Sequence, residues 1–148
     1  MYKRKARILF LGSGNSSRSQ MAEGYGVTLG NKWMEVKSAG IDATNIDVRT
    51  IEIMAEDGVD ISTQESITVS ADMIKWADLV LTLSNYAKNN CPDIPDHVRT
   101  KHWSIDNPGK ATGTSDEITY AFRSTRNEIK YKVNSMINGM KMMEKTST

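Results

Sequence analysis

Two kinds of hydrophobic run alternate along this chain. Ala6 to Leu11 (ARILFL) is almost wholly apolar and stops at a glycine, the pattern of a strand buried on both faces. From Arg18 to Leu29 the apolar positions Met21, Ala22, Tyr25 and Leu29 recur at helical spacing, and Gly30-Asn31 supplies the stop. Met34 to Ala39 (MEVKSA) predicts a second strand ahead of Gly40. Asp47 suits the cap of a helix that turns Val48, Ile51, Met54 and Ala55 inward and closes at Gly58. Ser70 to Trp76 predicts a short helix, Asp78 to Leu83 (DLVLTL) a third buried strand, and Arg99 to Trp103 a fourth. Thr114 and Glu117 have the spacing of a capping box before a long last helix. Its stripe is Ile118, Phe122, Ile129, Val133, Met136, Ile137, Met140 and Met143, which reads as core packing, and the polar tail Glu144 to Thr148 should fray. Ser84 to Val98 and Ser104 to Gly113 read as irregular loops.

Strands alternating with helices predict an α/β three-layer sandwich: a four-stranded parallel sheet with helices on both faces, one domain over 1–148. In such folds ligands bind beyond the carboxyl ends of the strands, so the two loops and the turn after the first strand should share one crevice. Nineteen basic against eighteen acidic residues give a net charge of +1, which argues against nucleic acid or a membrane surface as partner. The basic start, Met1 to Arg7, precedes no long apolar segment, so it reads as a solvated lead-in and the location as cytoplasmic. One cysteine, Cys91, excludes an internal disulfide, and with only His97 and His102 beside it a structural zinc site is not expected.

The turn after the first strand reads Gly12-Ser13-Gly14-Asn15-Ser16-Ser17-Arg18-Ser19. A strand passing through glycines into a helix N-terminus converges backbone N–H groups on one point, a site for an anion. Arg18 adds a planar, bidentate donor suited to a tetrahedral oxyanion. A Walker loop would need Gly-Lys-Ser/Thr at its end, and a dinucleotide fingerprint would need glycine where Ser17 stands. The second strand also ends in Ser38-Ala39-Gly40, without an acid for a ribose.

Gly12 to Gly26 (GSGNSSRSQMAEGYG) resembles the C-x5-R phosphate loop of low-molecular-weight protein tyrosine phosphatases. It is most similar to thioredoxin-coupled arsenate reductases on that fold, with the loop CTGNSCRSQMAEGWG. Ser38-Ala39-Gly40-Ile41, Gly58 to Ser62 (GVDIS), Asp78 to Leu83, Asn90-Cys91-Pro92, His102-Trp103 and Asn127-Glu128-Ile129 extend the resemblance over nearly the whole chain. It implies the three-layer fold and an oxyanion ligand, phosphate, arsenate or a phosphorylated protein, held by Gly12 to Ser19. It implies no organic cofactor.

The resemblance also marks what is replaced. The family's nucleophilic cysteine falls at Gly12, its second loop cysteine at Ser17, its next redox cysteine at Ser84, and only the last survives, as Cys91. The general acid, an aspartate directly before proline, falls at Asn107, with Asp106 beside it. In the arsenate reductases a potassium ion sits near residues matching Asn15, Glu23 and Ser38, but the family's further aspartate falls at Ile67, so no metal is expected. Glycine offers nothing to attack with, asparagine cannot protonate a leaving group, and one cysteine cannot form a disulfide. The reading is therefore an oxyanion-binding protein without turnover. The alternatives are an enzyme with displaced chemistry on Ser13, Ser17 or Asp106, and a protein-interaction module.

Overall fold

The computed structural model describes residues 4–146. Strands β1 (Ala6–Gly12), β2 (Met34–Gly40), β3 (Leu79–Thr82) and β4 (Arg99–His102) form one parallel sheet in the order β2-β1-β3-β4. The helices are α1 (Arg18–Gly30), α2 (Val48–Glu56), α3 (Ala71–Trp76), α4 (Asn85–Asn90) and α5 (Ser115–Thr146), with a 3₁₀ turn at Pro108–Lys110. Central β1 explains its own apolar run. Ile8 and Phe10 enter a core with Met21, Tyr25, Met54, Phe122 and Ile129 of α1, α2 and α5. Leu9 and Leu11 enter a second core on the opposite face with Ile74, Ala77 and Ala87 around α3 and α4. Alternate residues of one strand thus serve two layers, as the sandwich requires. Among the described residues no helix is long and apolar enough to cross a membrane.

Local chemistry sets the ends of the elements much as expected. Asp47 accepts from the Arg49 N–H at 2.9 Å, and Gly58 ends α2 at a φ of +79°. Thr114 and Glu117 exchange the reciprocal capping-box bonds at 3.1 and 3.2 Å. Asp78 accepts two bonds of 2.7 Å from the Arg4 guanidinium and one of 2.8 Å from the Arg7 N–H. Part of the basic lead-in is therefore an anchor on the sheet; Met1 to Lys3 lie outside the described residues.

Five expectations need correction. The buried face of α2 is Thr50, Ile53 and Met54, whereas Ala55 is exposed, Ile51 is half-buried and Val48 is 64% exposed. The helix is rotated because α5 grips it through charge. Buried Arg126 donates to the Ile53 carbonyl at 3.0 Å and to Glu56 at 2.9 Å, while the Arg49 guanidinium lies 4.7 Å from the Phe122 ring. At the far end of α5, Met143 is 72% exposed, because the helix outruns the core after Met140. Helix continues through the expected tail to Thr146, where Trp33 Nε1 donates to Glu144 at 2.8 Å; Ser147 and Thr148 lie outside the described residues. Ser84 to Val98 contains α4, capped by Ser84, which accepts from the Ala87 N–H at 3.0 Å. Ser104 to Gly113 contains the 3₁₀ turn, capped by Asn107 on the Gly109 N–H at 2.9 Å.

The rotation of α2 is open to direct test. Ile53→Ala should cost about 2–5 kcal/mol of stability and Val48→Ala no more than about 0.5 kcal/mol. Urea midpoints at unchanged slope measure both, and the reverse order would contradict the packing described.

Candidate functional site

The sheet order places the β1–α1 turn at the point where successive connections leave in opposite directions, beyond the carboxyl ends of the strands. Every carbonyl from Gly12 to Ser17 is bonded away from the turn's centre. Gly12 O accepts from Ile41 N at 3.1 Å, Ser13 O from Asp42 N at 3.0 Å and Gly14 O from Thr44 N at 2.8 Å. Asn15 O accepts from Gln20 Nε2 at 3.0 Å, Ser16 O from Asp47 N at 3.0 Å and Ser17 O from Met21 N at 2.9 Å. Among the described residues no backbone N–H from Ser13 to Ser17 has a protein acceptor. With the oxygens committed outward, the turn is a concave set of unmatched donors, which is chemistry for an anion.

Asn15 holds that shape. It is the one non-glycine at positive φ among the described residues, +53°, and it is 1% exposed. Its amide donates to Ser19 Oγ at 2.8 Å and Ser38 Oγ at 3.0 Å, and its Oδ1 accepts from the Ile67 N–H at 3.0 Å. The Ser38 hydroxyl in turn donates to Glu23 Oε1. Gly40, at the end of β2, lies so close that a Cβ there would come within 2.6 Å of the Asn15 nitrogen, which is backbone and cannot step aside. The potassium ion implied by the resemblance would need oxygens that this network already uses. Ile67 brings an apolar side chain where a carboxylate would be required, and its N–H occupies Asn15 Oδ1, so the residues present do not fit that ion. Burial pushes the Glu23 carboxyl above its usual value, against the opposing pull of its Ser38 hydrogen bond.

Around the turn the structure brings together most of the predicted positions. Gly12 to Ser19 and Asn107 line a hollow of about 10 Å³, which admits only a compact group. A cleft of about 550 Å³ opens beside it, lined by Ser13, Arg18, Ser84, Tyr86, Ile105, Asp106 and Lys110, so the turn and both loops do share one crevice. The Arg18 guanidinium donates to the Ile105 carbonyl at 2.8 Å; burial lowers its pKa and the Asp106 charge partly offsets that. The hydroxyls of Ser13 and Ser84 are 2.8 Å apart, joining the turn to α4, and buried Ser17 accepts from Thr50 at 2.8 Å. Cys91 is not in this group. It stands at the end of α4 against a different cleft, and burial pushes its thiol up, away from thiolate. The roles of Gly40 and the Ile105 carbonyl were not legible in the sequence. For Gly40, a glycine ending a strand beside a phosphate-type turn was the available signal.

The sequence profile of the family described as low molecular weight phosphotyrosine protein phosphatase matches residues 7–147. An arsenate reductase of Halalkalibacterium halodurans is 45% identical over 126 residues, 84% of this chain and 90% of that protein. One from Bacillus subtilis is 45% identical over 123 residues, 82% of this chain and 88% of its own length. Among solved structures, "An arsenate reductase in the phosphate binding state" superposes with a TM-score of 0.74 at 27% identity, covering 91% of this chain and 98% of that one. A mutant of the YwlE arginine phosphatase with a phosphorylated active-site serine shares the fold at 21% identity, with a TM-score of 0.74 over 91% of this chain and 95% of its own.

Glu23 gives the site a pH signature. Its folded pKa is raised, so the folded chain keeps this proton longer than the unfolded one. The associated stability is complete below the ordinary value of 4.5 and declines as pH rises through the raised folded value. Urea midpoints of wild type should therefore fall relative to Glu23→Gln across that window; a gap that stays constant with pH would contradict it.

Proposed function

Because this chain belongs to the low molecular weight phosphotyrosine protein phosphatase family, we propose that it is an arsenate reductase-like protein that binds an oxyanion without turning it over. The observation that carries the reading is the set of N–H groups from Ser13 to Ser17 with no protein acceptor, ringed by carbonyls that are all bonded elsewhere. Phosphate or arsenate would take those donors together with Arg18, and the solved relative in a phosphate-binding state supports that ligand. The 550 Å³ cleft beside the hollow leaves room for the remainder of a phosphorylated protein side chain.

Turnover lacks its reactive groups. Phosphoryl transfer in the family's manner needs a thiolate at the position of Gly12 and a proton donor at the position of Asn107. Ser13 is hydrogen-bonded to another hydroxyl, and Ser17 accepts from a third. Neither has a histidine beside it, for His102 is tied to Thr82 at 2.7 Å and His97 lies by the Lys75 carbonyl at 3.1 Å. Reduction of arsenate to arsenite takes two electrons, one from each of two thiols joined as a disulfide, and Cys91 is the only cysteine.

Calorimetry with phosphate and arsenate tests the binding. Arg18→Ala should weaken both by about tenfold or more, and equal affinity of variant and wild type would remove the site. Wild type should show no arsenate turnover with thioredoxin and its reductase; sustained turnover would overturn the inactive reading.

Returning the reactive groups tests the assignment of roles. A Cβ at Gly12 would approach Ser19 Oγ to 2.9 Å, so that hydroxyl must turn for Gly12→Cys to fit. Gly12→Cys should then hydrolyse an activated aryl phosphate slowly, Asn107→Asp alone should not, and adding Asn107→Asp should raise the rate by roughly 10²–10⁴-fold. A double variant that folds, binds phosphate and releases no product would refute these roles.

A further inference from the structure

The outer face of α5 carries a pattern that core packing does not use. Tyr120, Ser124 and Asn127 recur eleven residues later as Tyr131, Ser135 and Asn138, and Met142 stands where a third unit would begin. Eleven residues make close to three helical turns, so these positions fall on one line about 33 Å long. All seven are exposed, Tyr120, Tyr131 and Met142 by 69%, 74% and 67%, and none carries a charge.

The cations that border the line are drawn back onto the body of the molecule. Arg123 donates to Glu56 at 2.8 Å, Lys130 donates to Asp57 at 2.9 Å, and the Lys141 ammonium lies 4.7 Å from the centre of the Trp33 ring. Glu128 and Lys132 remain beside the midpoint of the line, both on the same flank of the helix. Their spacing would let them pair within the helix, yet among the described residues neither makes an ion pair.

We infer that two copies of this chain pair through α5, antiparallel, about a two-fold axis at Tyr131. Such an axis sets each position before Tyr131 against the one equally far beyond it in the partner. Tyr120 then meets the partner's Met142, an attractive contact of ring and thioether. Ser124 meets the partner's Asn138, Asn127 meets the partner's Ser135, and Tyr131 meets its own copy. Arg126 Nε donates to Asn127 Oδ1 at 3.1 Å, which leaves the Asn127 NH₂ as the outward donor for the serine hydroxyl opposite. Glu128 comes beside the partner's Lys132, and by symmetry this charge pair forms twice. A parallel pair would instead set Lys132 beside the partner's Lys130 and align the two helix dipoles, so the charges select the antiparallel arrangement. A single helix pair of this length buries an area at the low end of specific interfaces, so the dimer is weak and grows with concentration. The interface makes no use of Gly12 to Ser19 and stands or falls independently of the oxyanion reading.

Sedimentation equilibrium of the full chain from about 10 μM to about 1 mM should show monomer and dimer in exchange. Tyr131→Glu should weaken the dimer by about tenfold or more, whereas Val48→Glu, at a comparably exposed site on α2, should leave it unchanged. Glu128→Lys and Lys132→Glu should each weaken it, and the two combined should restore it, because the exchanged charges again face each other across the axis. With Cys91→Ser in both, Tyr120→Cys and Met142→Cys proteins should form a disulfide when mixed under mild oxidation, and Tyr120→Cys alone should not. A chain that stays monomeric over the whole range, or a dimer that Tyr131→Glu leaves intact, would overturn the interface. A double exchange that fails to restore pairing, or Tyr120→Cys crosslinking to its own copy, would overturn the antiparallel arrangement and with it the inference.

Discussion

The constraint on which this molecule turns is the outward commitment of six consecutive carbonyl oxygens, Gly12 to Ser17. Peptide units carry a donor and an acceptor on opposite edges, so fixing every acceptor to the outside leaves the donors facing in. The partners that do this come from distant parts of the chain. The segment after β2 supplies the N–H groups of Ile41, Asp42, Thr44 and Asp47, and α1 supplies Gln20 and Met21. The sheet brings that segment alongside β1 through the pairing of Gly12 with Gly40. The inward-facing set of donors is thus a property of the β1–β2 register and of Asn15 in its left-handed conformation, more than of any side chain in the turn.

On the proposed reading, this arrangement explains how the loop could lack the family's reactive residue and keep its form. Its shape depends on backbone bonds, on Asn15 and on the absence of a Cβ at Gly40; position 12 contributes only through its main chain, whose carbonyl accepts from the Ile41 N–H, and through no side chain. Removing a thiolate also removes a negative charge that would otherwise face a bound oxyanion. On the proposed reading architecture and reactivity are separable: the family's fold persists with glycine, serine and asparagine at the positions where the resemblance places its reactive groups.

Most of the fold was legible because its signals are local. The buried run of β1, the cap at Asp47, the capping box of Thr114 and Glu117 and the strand–glycine–helix turn each lie within a few residues. What escaped depends on partners remote in sequence. The face of α2 is decided by Arg126 and Phe122 on α5, contacts that apolar spacing within α2 cannot encode. Helix α4 buries only Ala87, so it shows no stripe, and its existence rests on the Ser84 cap. In the site the eight-residue turn was readable, while its fastening through Ser38, Glu23 and Ile67 was visible only once the chain was folded.

The short helix between Ser84 and Cys91 has a mechanical consequence. Seven residues of helical rise separate those positions by about 10 Å, and a disulfide tolerates a Cα separation of at most about 7 Å. Even a cysteine in place of Ser84 could therefore not be joined to Cys91 while α4 is intact; the crosslink and the helix are mutually exclusive states of the same segment. With a serine there instead, its hydroxyl bonded both to the Ala87 N–H and to Ser13, the segment is held in one of those states and the wall of the oxyanion cleft stays fixed.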